Sequence, residues 1–177
     1  MTPRPIALSL LAASIALPLL ASALRAGELD IPARKPGLWD IKMTPRTAGA
    51  TPVISMQTCL DASSDRQMMQ NGLAMTQGTC SDINQSRDGD AIAIDSTCNI
   101  NGGVAHTHLR ITGDFQSSYR LEIVSEREGG NAKLPKHSEM TQEATWKGPC
   151  TGGMEPGDVM LLGHKINILN AITKPGG

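Results

Sequence analysis

Polar and apolar residues alternate along most of this chain, with the period of a β-strand. In Lys35–Met43, Trp39, Ile41 and Met43 fall on one side, and Leu38, Asp40 and Lys42 on the other. Val53–Cys59 predicts a second strand after the Pro/Gly/Ala loop Thr44–Pro52. His106–Thr112 sets Leu109 and Ile111 against His106, His108 and Arg110. Ser118–Glu126 sets Tyr119, Leu121 and Ile123 against Arg120, Glu122 and Glu126. Ser138–Trp146 turns Met140, Ala144 and Trp146 inward, and Glu139, Thr141 and Glu143 outward. Gly113–Ser117 reads as a hairpin loop and Glu126–Lys136 as a charged, glycine-rich, mobile one.

Two more alternating arms flank Asp88-Gly89, a two-residue signal for a type I′ turn, and each arm ends in a cysteine. With Arg87 facing Asp90, the register pairs Gln85 with Ile92, Ile83 with Ile94 and Ser81 with Ser96. Ile83, Ile92 and Ile94 then share a face with Cys98, while Cys80 lies on the opposite one. A disulfide needs Cβ atoms roughly 4 Å apart and pointing at each other. Without a bulge, Cys80 and Cys98 must look elsewhere, so the preferred pairing is Cys59–Cys80 with Cys98–Cys150.

Helix signals occur twice. Asp61–Gln70 combines a capping residue with good helix formers, and Asn71-Gly72 stops it. In the tail, Glu155-Pro156-Gly157-Asp158 can start a helix on which Val159, Leu162, Ile166 and Leu169 form a stripe, suited to a lid on the sheet. The fold class is therefore mainly β: an antiparallel meander or small barrel of about seven strands. One short helix near 61–70 and a C-terminal helix complete it, and disulfides staple it.

Before this domain, Met1–Ala23 has the form of a secretory signal: Arg4, the apolar run Ile6–Leu20 and the small-x-small sequence Ala21-Ser22-Ala23. The run is about 15 residues, short of the roughly 20 that span a bilayer. The predicted organisation is a signal peptide over 1–23, a flexible lead-in over 24–35, a disulfide-stapled β domain over 36–150 and a tail over 151–177. Export to a periplasm or beyond, with no transmembrane segment after cleavage, fits four cysteines lacking any Cys-x-x-Cys spacing. A net charge of −1 and an aromatic set of Trp39, Phe115, Tyr119 and Trp146 disfavour nucleic acid as a partner.

The residues Pro36-Gly37-Leu38-Trp39-Asp40, Cys59-Leu60-Asp61, the pair Cys80 and Cys98, and Cys150 appear in an order that resembles the Domain of Unknown Function 3617 family of exported bacterial proteins. The resemblance spans roughly Lys35–Cys150 and implies export, disulfides and a small β-rich domain. It brings no reaction, cofactor or catalytic residue. Asp40 stands where the family usually has Glu, and the tail after Cys150 lies outside the resemblance.

Three chemistries compete. His106-x-His108 projects two imidazoles to one side of a strand, and the predicted register sets Glu122 opposite His108 as a third ligand for copper or zinc. Exposed strand histidines beside charged neighbours explain the same pattern. Catalysis finds no Gly-x-Ser-x-Gly and no free cysteine, so no enzyme is expected. Trp39 and Trp146 face inward on the first and last strands; a closed sheet would bring the indoles together as packed core or as the wall of a pocket. The leading reading is a non-catalytic exported domain that binds a small apolar molecule, a lipid or an envelope component, without a cofactor.

Overall fold

The computed structural model describes residues 30–46, 52–76 and 79–173. The predicted signal and the first half of the lead-in lie outside them. The described strands are β1 (Gly37–Pro45), β2 (Ile54–Leu60), β3 (Cys80–Asp88), β4 (Ala91–Ile100), β5 (Gly103–Gly113), β6 (Ser118–Gly129), β7 (His137–Gly148), β8 (Asp158–Leu161) and β9 (His164–Asn167). Two helices accompany them, α1 (Ala62–Thr76) and α2 (Ile168–Thr173). The strands form one open antiparallel sheet in the order β3-β4-β5-β6-β7-β1-β2-β8-β9.

The class is mainly β, as the alternation predicts, but the described residues form nine strands rather than about seven, in an open sheet that is neither a simple meander nor a barrel. Strands β3 to β7 follow one another; β7 then pairs with β1, which carries β2, β8 and β9 beyond it. Trp39 and Trp146 are cross-strand partners because β7 bonds directly to β1, with no closure required.

One face of the sheet holds the core: Trp39, Ile41, Leu60, Ile92, Ile94, Ile111, Tyr119 and Ala144, joined by Phe115 from the loop after β5. Met68 of α1 packs against this cluster, so the helix lies over the apolar face. Burying each of the larger aliphatic side chains contributes about 1.5–3 kcal/mol. Gly37, with φ of 133°, enters β1 where a Cβ would sit 2.3 Å from the Gly148 carbonyl oxygen. Only glycine permits that approach.

The disulfides differ from the preferred pairing. Cys59 bonds to Cys150, and Cys80 to Cys98. Cys80 partners Cys98 while Asp82 partners Thr97, so Ser81 is an extra residue. This bulge turns Cys80 onto the face of Cys98, which an unbroken register would forbid. The hairpin register also shifts: Asp88 partners Ala91 and Ile83 partners Ser96, leaving Gly89 and Asp90 as the turn. Only Gly89 of the two takes a positive φ, 59°, the pattern of a type II′ rather than a I′ turn.

Helix α1 starts as predicted. The Asp61 carboxylate accepts from the Ser64 N–H at 2.7 Å, and the Ser64 hydroxyl accepts from the Asp61 N–H at 2.8 Å. It does not stop at Asn71-Gly72 but continues to Thr76; helix propensity is a weak prior that tertiary context overrides.

The tail departs most. Residues 158–167 form the hairpin β8–β9 in place of a helix, and the helix α2 follows over Ile168–Thr173. Leu162 and Gly163 make its turn with φ of 50° and 81°. Val159 and Ile166, two members of the expected helical stripe, become cross-strand partners. The free edge of β2 supplies ladder partners for β8 that a lone helix would not use.

Two segments expected to be loose are held. Residues 30–35 are tied down as described below. The loop after β6 is clasped by Arg127, which donates to the carbonyls of Gly129, Leu134 and Pro135.

A candidate ligand pocket

The segment 30–35 runs across the apolar face as a strap. At its start, Asp30 exchanges hydrogen bonds with Gln85 and pairs with Arg87 at 2.9 Å, both on β3. At its end, the Lys35 N–H donates to the Phe115 carbonyl at 2.8 Å, and Trp39 Nε1–H donates to the Lys35 carbonyl at 2.8 Å. The Lys35 ammonium lies 3.6 Å from the centre of the Trp146 ring, whose Nε1–H donates to the Pro36 carbonyl.

Between these anchors Arg34 turns toward helix α1. Its Nε donates to Asp65 Oδ1 at 2.6 Å, its backbone N–H to Asp65 Oδ2 at 3.0 Å, and its guanidinium to the Tyr119 hydroxyl at 3.3 Å. The side chains of Arg34 and Asp65 are 14% and 5% exposed. Burial works against the guanidinium's charge, but Tyr119 and Asp65 outweigh it, and the Arg34 pKa stays above its ordinary value.

Strap, helix and sheet enclose a partly open cavity of about 680 Å³. Its walls are mostly apolar: Ile31 of the strap, Met69 of α1, and Leu109, Ile111, Phe115 and Leu121 of the sheet side. The Arg34–Asp65–Tyr119 trio, Arg66, Gln70 and Gln142 supply the polar lining. The size falls within the roughly 300–1,000 Å³ of small-molecule sites.

Phe115 is set by an unusual backbone. It adopts φ of 57°, rare for a bulky residue, and its ring stacks on Tyr119 at 5.5 Å and 11°. The loop is fastened by Asp114, whose Oδ1 accepts from the N–H groups of Gln116, Ser117 and Ser118, and whose Oδ2 accepts from the Ser117 hydroxyl. The Ser117 N–H and hydroxyl, then Ser118 and Gln116, hold this carboxylate far below the usual range.

The predicted site residues are placed as follows. Neither Trp39 nor Trp146 lines the cavity; Trp39 is fully buried and backs it through Tyr119, 5.4 Å away between ring centres. His106 and His108 do share the outer face, where His106 Nδ1 meets the Thr97 hydroxyl at 3.1 Å and His108 Nδ1 meets Asp95 at 2.7 Å. Glu122 does not face His108: it is opposite Arg110, and Val124 takes the position across from His108. The expected register is two residues out there, because Gly113 rather than Thr112 closes β5 and partners Tyr119, which centres the turn one residue later. Glu122 bonds instead to Arg120 at 3.1 Å. Among the described residues no three His, Cys, Asp or Glu side chains are grouped to share an ion.

A family model described as "Protein of unknown function (DUF3617)" matches residues 34–150. The chain belongs to this family. The DUF3617 match opens on Arg34 and closes on Cys150, so it takes in α1, the disulfides and nearly the whole cavity lining, and leaves out β8, β9 and α2. Comparison with curated proteins finds no match, and comparison with solved structures finds none.

Arg34, Asp65 and Phe115 escape a reading by periodicity, since they belong to three segments that meet only in the fold. The signal available was a charged residue beside the Lys35-Pro36-Gly37 start and an acid in the first turn of the helix.

Proposed function

We propose that this protein is an exported, non-catalytic binding domain whose cavity beneath helix α1 holds a small apolar molecule or a lipid. The observation that carries the reading is the cavity itself, with apolar walls and a short polar inventory whose deepest charges neutralise each other. Export is supported by the signal-like sequence of Met1–Ala23 and by the pairing of all four cysteines. Among the described residues no helix is long and apolar enough to cross a membrane.

The test is native mass spectrometry of the protein purified from its own cell envelope. The expected result is a mass excess of lipid size on wild type, absent from a folded Met69→Trp variant in which the indole fills the cavity. A bare mass for wild type would sink the proposal.

A further inference from the structure

The cavity's charges are unevenly distributed, and that asymmetry specifies the ligand. Resting on the reading that the cavity is a ligand site, we infer that it takes an amphiphile with one anionic headgroup, the apolar body among Leu109, Ile111, Phe115 and Leu121 and the headgroup at the mouth on Arg66.

Among the described residues three charged side chains line the cavity: Arg34, Asp65 and Arg66. The first two are spent on each other. Both Asp65 carboxylate oxygens are occupied by Arg34, at 2.6 Å and 3.0 Å, and both side chains are nearly out of water. A charged headgroup placed there would have to break a desolvated pair and leave one member without compensation. That end receives the apolar body of the ligand.

Arg66 is different. It is exposed, lines the cavity, and its side chain makes no ion pair or hydrogen bond with any of the described residues. It sits on the helix that forms the cavity's lid, and Gln70, one turn on and also exposed, adds an amide to the same rim. A guanidinium presents a planar fork of donors that fits a carboxylate or phosphate. At the lip of an apolar chamber it pairs with an anion while the chain attached to that anion lies inside. With the buried pair neutral, the described lining carries a net charge of one positive unit, which disfavours a cationic headgroup. A fatty acid and a monoacyl phospholipid both carry this chemistry.

The experiment is calorimetric titration of the full chain at low salt with decanoate, a decanoyl lysophosphatidate, decanol and decylamine, each below its micelle concentration. Decanoate or the lysophosphatidate should bind about ten-fold or more tightly than decanol, with decylamine weakest. The better of the two anions names the source. Arg66→Gln, a surface change, should bring both anions down to the affinity of decanol for the same variant. Equal affinities for anion, alcohol and amine would overturn the headgroup assignment while the cavity reading stands; so would an anion preference that survives Arg66→Gln. No binding of any of the four would overturn the cavity reading itself.

Discussion

Arg34 and Asp65 show how much a single contact can carry in this protein. Strap and helix are separate segments, and the pair is where they meet, with Tyr119 joining from the sheet. Removing one partner of a nearly buried pair leaves the other charge desolvated and unmatched. Asp65→Ala should therefore cost about 3–5 kcal/mol in urea unfolding, and the double change Arg34→Met/Asp65→Leu should recover most of that loss. If the single and double variants unfold alike, the pair is not what holds the strap. Phe115 makes a related point: its left-handed backbone is held by the hydrogen bonds around Asp114 and by stacking on Tyr119, so a costly conformation sits at the cavity wall.

At the scale of elements, the two disulfides do different work. Cys80–Cys98 closes a separation of 18 residues within one hairpin, whereas Cys59–Cys150 closes 91 and ties the end of β2 to the end of the family-matched region. On chain-entropy grounds, losing the first should cost about 3 kcal/mol and losing the second about 5. Thermal unfolding of the Cys80→Ser/Cys98→Ser and Cys59→Ser/Cys150→Ser proteins measures the difference; the reverse order would contradict it. The β8–β9 hairpin has its own fastening in Asp158. This carboxylate accepts from the Glu155 N–H at 2.9 Å and from Asn167 Nδ2–H at 2.9 Å, with Lys165 at 3.4 Å. The Glu155 N–H chiefly, with Asn167 and Lys165, depresses its pKa below the ordinary 3.8 despite burial. A folded pKa below the unfolded one means stability that is present above the unfolded value and lost as pH falls through the folded value. Between pH 7 and 3 wild type should therefore lose more stability than Asp158→Asn. Parallel pH profiles would remove Asp158 from the account.

At the scale of the molecule, the sheet order decides where a site can exist. Because β7 pairs with β1, and β2 leads straight into α1, the helix returns over the apolar face of β5 and β6 instead of lying at an edge. The strap then reaches from the β3–β4 hairpin to Phe115 and completes the enclosure. The same order leaves the two tryptophans as neighbours in the core without making them the pocket. The outer face carries His106 bonded to Thr97, His108 to Asp95, and His137 to Glu126 and Glu139.

Local sequence was enough, by itself, to determine the β class, the faces of the residues assigned in β1, β5, β6 and β7, and the capped start of α1. These follow from a period of two residues and from hydrogen bonds between residues three apart, both local properties. The disulfide pairing turned on a single bulge at Ser81, which no spacing encodes. The tail became a hairpin because the edge of β2 offered backbone partners distant in sequence, and in isolation the same residues have helical spacing. The cavity was decided at the same level: its polar trio comes from residues 34, 65 and 119, which share no local pattern and are brought together only by the order of the strands.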